Sequence, residues 1–108
     1  MTLLRSAEHI VPLPKPIGAM PSSANDLHER LITFAVAAVE VVRRIPRDIG
    51  GQNVARQLAK CSSSPAAHYA EARGAESTHD YIHKMRMALK ELRETDTWLR
   101  IAEAISAG

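Results

Sequence analysis

The chain has 108 residues, a single cysteine and a formal net charge of +2. That length holds one domain, the lone Cys61 excludes an internal disulfide, and no apolar run approaches the ~20 residues of a bilayer-spanning helix. A charge this small argues for solubility more than for any partner. The apolar content leans on Ala and Leu, with few aromatics (Phe34, Tyr69, Tyr81 and Trp98). Ala and Leu lose little rotamer freedom in a helix, so the composition favours helices with an aliphatic core. Arg5, Glu8, Pro12 and Pro14 interrupt the apolar residues near the N-terminus, which leaves no secretory h-region. By exclusion, the expected location is cytoplasmic.

Residues 1–22 stand apart. Pro12, Pro14, Pro16 and Pro21 fall close together with Lys15 and Gly18. Proline removes backbone donors and biases the preceding residue away from helix, so this segment is expected to be an extended or disordered tail. The expected helical domain is 23–108. Its first helix begins near Asn25, where Ser23 or Asn25 can cap and Asp26 and Glu29 suit the positive end of the helix dipole. Leu27, Leu31, Phe34, Ala35, Ala38, Val42 and Ile45 recur at steps of three and four, which makes one apolar stripe. Arg43, Arg44 and Arg47 cluster where Pro46 ends the helix. Their simplest role is a solvated face that complements the dipole.

Gly50 and Gly51 predict a turn. A second helix is expected from about Gln52 to Gly74, with Val54, Leu58, Cys61, Pro65, Tyr69 and Ala72 at helical spacing. Pro65 deprives the Cys61 carbonyl of its helical donor, so a kink is expected there, with Ser62 to Ser64 satisfying that oxygen. Ser77 and Asp80 have the spacing of a capping box and open the third helix. Ile82, Met85, Leu89, Leu92 and Leu99 form its apolar stripe, beside a second row of Lys84, Ala88, Glu91, Thr95 and Trp98. A helix with two adjoining stripes packs against two neighbours. The fold class is therefore all-α, an up-and-down antiparallel bundle of three long helices. Leu31, Phe34, Leu58, Tyr69, Met85, Leu89 and Leu92 are expected in its core.

Few constellations suggest chemistry. His79 and His83 have the i, i+4 step of a shared metal, but two ligands do not make a site, and no metal or cofactor is expected. Ser64, His68 and Glu71 repeat at the same step, without the sharp turn and oxyanion hole that a catalytic triad needs. No catalytic residue is assigned. Cys61 sits on the apolar stripe as a small buried group.

Residues 55–99 carry a recognisable pattern. It consists of Ala55, Arg56, Gln57 and Leu58, then Ser64, Ala67, Tyr69, Glu71 and Ala72. The runs Tyr81-Ile82-His83-Lys84 and Ala88-Leu89-Lys90-Glu91 follow, and Glu94, Thr95, Trp98 and Leu99 complete it. This stretch resembles the small bacterial four-helix-bundle proteins encoded by intervening sequences within large-subunit rRNA genes, which have relatives among the accessory proteins of diversity-generating retroelements. Asp26 to Arg47 is consistent with the first helix of that family. The chain departs from the pattern at His68, where the family favours Asn. It also stops at Gly108, where the family continues into a fourth helix, so that helix is expected to be absent. An apolar groove would then lie between the first and third helices, lined by parts of the Leu27 to Ile45 stripe and by Trp98, Leu99 and Ile101, and self-association is the expected way of covering it.

The resemblance implies a non-catalytic bundle that assembles as a homo-oligomer, a pentamer in the best-known members, and nucleic-acid binding in some relatives. Two functions follow as expectations. One is an accessory factor that binds RNA or a nucleic-acid enzyme, with Arg43, Arg44, Arg47, Arg56 and Lys60 as its contacts. The other is a protein-interaction scaffold with no nucleic-acid role. The polar row Gln57, His68, Glu71, Lys84, Glu91, Glu94 and Thr95 is expected between the second and third helices, where paired polar groups fix register.

Overall fold

The computed structural model describes residues 24–107. Residues 1–22, the expected tail, lie outside the described residues, as do the two end residues of the expected domain, 23 and 108. Three helices follow one another: α1 (Ala24–Val42), α2 (Ile49–Arg73) and α3 (Thr78–Ser106). No strand occurs among the described residues.

The boundaries follow from local chemistry. In α1 the hydrogen bonds tighten at the end, with Arg44 N donating to Val41 O and Ile45 N to Val42 O. Such i→i−3 bonds close a final turn that cannot continue into Pro46. Asp48 caps α2, its carboxylate accepting from Gly51 N at 2.7 Å. Gly50 and Gly51 therefore belong to the first turn of α2, and the turn expected at them lies earlier, at residues 43–48. Asp48 wins because its side chain satisfies an otherwise orphaned helical N–H. Gly51 is buried there, and a Cβ on it would collide with the Pro46 carbonyl. Ser77 caps α3 as its spacing predicts, accepting from Asp80 N at 3.0 Å.

Helix α2 runs through Pro65 without interruption. The hydroxyls of Ser63 and Ser64 donate to the carbonyls of Ala59 and Lys60 at 2.9 and 2.8 Å. They do not serve the Cys61 carbonyl, as the sequence reading expects. From those positions the i−4 carbonyl is the one within reach.

Helix α2 lies in the middle. It packs extensively on α3 and less on α1, whereas α1 and α3 scarcely meet. The overall dimensions are 47 × 29 × 15 Å. Helices packed side by side sit about 8–10 Å apart, so three in a row are roughly 25 Å wide. A closed triangle would be much narrower, so the arrangement is an open layer.

Core packing is concentrated at one end of this layer. Val41 and Ile45, Val54 and Leu58, and Ala102 form the buried cluster, backed by Trp98 and Leu99. Of the expected core, Leu58 and Tyr69 are buried. Leu31, Phe34, Met85 and Leu92 are only partly covered, and Leu89 is 47% exposed. The expectation fails for Leu89 because the stripe of α3 outruns what its neighbours cover, α1 being too distant at that level.

Candidate functional site

Three surfaces and one seam hold the candidate residues. The first surface is basic. Arg43, Arg44 and Arg47 lie on the turn between α1 and α2, and all three are exposed. Arg56 and Lys60, one helical turn apart on α2, are also exposed, on the side away from the positions that α2 buries. Glu40 engages Arg43 at 2.8 Å. Among the described residues, the other four make no salt bridge. Arg44, Arg47, Arg56 and Lys60 thus present their charge to solvent, where an anionic partner can meet it without displacing an internal carboxylate.

The seam joins α2 and α3. Lys84 Nζ lies 3.4 Å from Glu71 Oε1 across it. Glu71 is exposed and Lys84 half-buried, so water still screens the pair and it adds little stability. Further along, the Thr95 hydroxyl is fully buried and donates to Glu91 O at 2.7 Å. It lies beside the Cys61 thiol, which itself donates to Leu58 O at 3.7 Å. Burial pushes that thiol up from its ordinary value, and the carboxylates of Glu91 and Glu94 add to the shift. Cys61 is therefore held protonated, which is the condition of a structural thiol and not of a nucleophile. Gln57 and His68 are half-buried, and His68 Nδ1 is enclosed with no hydrogen-bond partner. The polar row thus brings Glu71 to Lys84 and Thr95 to Cys61, while Gln57 and His68 stay outside both contacts.

The second surface is an apolar groove at the end opposite the core, with a volume of about 380 Å³. Leu27 and Leu31 of α1 form one wall, Tyr69 of α2 the floor, and Tyr81, Ile82, Met85, Leu89 and Leu92 of α3 the other wall. Arg86 is the one charged residue that lines it. The sequence reading places a groove between the first and third helices but sets Trp98, Leu99 and Ile101 in it. Trp98 and Leu99 instead pack on the core cluster. Periodicity shows which residues share a face but not where along the layer the helices diverge.

The third surface, also apolar, lies on α1. Ile32, Val36 and Val39 are each about two-fifths exposed or more, and their spacing puts them on one side of the helix. His79 and His83 are exposed. Among the described residues, no three His, Cys, Asp or Glu side chains are grouped to hold a metal ion, and no helix is long and apolar enough to cross a membrane.

A family model described as 23S rRNA-intervening sequence protein matches residues 24–107, which span all three helices. No curated protein and no solved structure matches the chain.

Proposed function

The chain belongs to the 23S rRNA-intervening sequence protein family, and on that premise we propose that it is a non-catalytic, self-associating helical protein that binds RNA through its basic edge. The observation that carries this reading is the set of four cations, Arg44, Arg47, Arg56 and Lys60, exposed and, among the described residues, without salt bridges. RNA phosphates neutralised by such groups release counterions, so affinity falls steeply with salt. Replacing all four by Gln should weaken binding to a labelled structured RNA and flatten its salt dependence, leaving helical content unchanged. An unaltered salt slope in that variant, or no RNA shift by the parent protein at low salt, would sink the reading in favour of a scaffold with no nucleic-acid role.

Self-association is supported by the outer face of α1. An apolar stripe of Ile32, Val36 and Val39 on a helix that already buries its opposite side suits burial against a further surface. Family resemblance supports a ring, with five subunits as the working stoichiometry. Native mass spectrometry of the parent and of Val36→Glu tests this. The parent should be oligomeric and the variant shifted towards monomer; a monomeric parent ends the claim.

A further inference from the structure

We infer that the outer side of α3 is a track for the backbone of duplex RNA, a second nucleic-acid surface separate from the cations at the α1–α2 turn and on α2. The choice of RNA rests on the function proposed above; the track itself uses none of the residues invoked there.

The first observation is the line of residues. His79, His83, Arg86, Lys90, Arg93 and Arg100 follow one another at steps of four, three, four, three and seven. Those steps keep side chains on one side of a helix. Each of the six is exposed, as is Thr97 between the last two. Ala88, Thr95 and Ala102, the buried positions of α3, lie about half a turn from this line at the ~3.6 residues of a helical turn. The line therefore points away from α2. Because α2 lies in the middle of the layer, this is one of the layer's two long outer sides. The other belongs to α1, where similar spacing carries Ile32, Val36 and Val39. One outer side is apolar and the other is basic.

The second is charge. No carboxylate falls on the line. Asp96, beside it, engages Arg100 at 3.3 Å. Among the described residues, Arg86, Lys90 and Arg93 make no salt bridge. Like charges one helical turn apart repel each other, so the row is held against a repulsion that a polyanion relieves. From Arg86 to Arg100 the helix rises roughly 21 Å. Several phosphates of one strand fit along a straight row of that length, given one per about 3.4 Å of axis in a B-form strand.

The third is what the line lacks. It holds no apolar or aromatic side chain; its apolar neighbours, Ile82 and Leu89, turn towards the groove. A protein interface centres on apolar and aromatic anchors and is depleted in lysine. A helix lying on a membrane needs an apolar side to insert, and single strands are gripped by aromatic stacking. Duplex RNA asks for none of these. Its deep, narrow major groove closes the base edges to side chains, so it is held through phosphates and 2′-hydroxyls, which arginine and lysine serve as donors.

Fluorescence anisotropy of a short labelled RNA duplex tests the track on the full chain. Arg86→Gln, Lys90→Gln and Arg93→Gln together should weaken binding several-fold or more and cut the slope of log affinity against log salt by up to about three, with helical circular dichroism unchanged. The pair Lys90→Gln with Arg93→Gln, which leaves the groove-lining Arg86 in place, should give a smaller loss of the same kind. An unlabelled single strand should compete several-fold more weakly than the duplex. Parent-like affinity and slope in both variants would overturn the inference. So would a single strand that competes as well as the duplex, or a DNA duplex that competes better. If binding is lost only when Arg44, Arg47, Arg56 and Lys60 are replaced by Gln, the track falls and the proposed function stands. If it is lost only in the α3 variants, the track stands and the four cations lose their role. A parent protein that binds no RNA at low salt ends both.

Discussion

At the end where α1 turns into α2, Val41, Ile45, Val54, Leu58 and Ala102 close into a buried core. At the opposite end Leu27, Leu31, Met85, Leu89 and Leu92, residues no less apolar, line an open groove. Side-chain hydrophobicity does not separate the two ends; backbone constraint does. At the closed end residues 43–48 form a tight link, and Gly51 lets the first turn of α2 lie directly on the Pro46 carbonyl. Alanine at position 102 then allows α3 to approach the same point, where it is fully buried. At the open end α1 is held to α2 by an exposed contact, Arg73 Nη1 to Asn25 Oδ1 at 2.8 Å, and hardly at all to α3. Apolar residues bury themselves only as far as the backbone lets their neighbours converge.

Gly51→Ala should break this comparison most sharply. A Cβ there meets the Pro46 backbone, which cannot swing aside as a side chain does. Overpacking against backbone costs ~3 kcal/mol or more, and urea unfolding should show it as a large fall in midpoint. No substitution in the groove should match it. Leu58→Ala comes next. Leu58 is 0% exposed, so the lost transfer energy and the cavity together cost about 2–4 kcal/mol in the same measurement.

A smaller effect concerns the Cys61 thiol. Its ordinary pKa is 9.0, and burial raises it in the folded protein. The folded state therefore holds the proton more tightly than the unfolded chain does. This stabilising contribution is fully present below pH 9 and declines as the pH rises from the unfolded value through the folded one. Urea midpoints measured at neutral and alkaline pH should show a steeper alkaline loss in the parent than in Cys61→Ala. Parallel losses would mean that the thiol ionises as readily in the folded state as in the unfolded one.

The closed and open ends are unequally legible in the sequence. Three helices, the Ser77 cap and the buried positions of α2 follow from periodicity and capping chemistry, which are local. The Asp48 cap is equally local, but the Gly50-Gly51 pair reads more strongly as a turn. Gly51 is needed there for a contact with Pro46, and nothing in the pair itself signals that partner. Leu89 shows the other limit. Its place on the stripe of α3 is correct, but its burial depends on how far α1 stands away, a distance that no local pattern contains. Of the site residues, the Glu71–Lys84 pair and Thr95 fall in the seam where the polar row predicts them, because heptad-like spacing fixes which side of a helix faces its neighbour.

The smallest expected effect is also the one that bears most directly on the open end. Leu89 keeps nearly half of its surface exposed against the three helices, so those helices alone justify a cost for Leu89→Ala of about 1 kcal/mol, well below that at Leu58. Urea midpoints of Leu89→Ala and Leu58→Ala compare the two ends directly, because Leu58 lies in the closed core and Leu89 on the wall of the groove. A penalty at Leu89 as large as that at Leu58 would mean that the groove is covered as completely as the core, and the contrast between the two ends would fall.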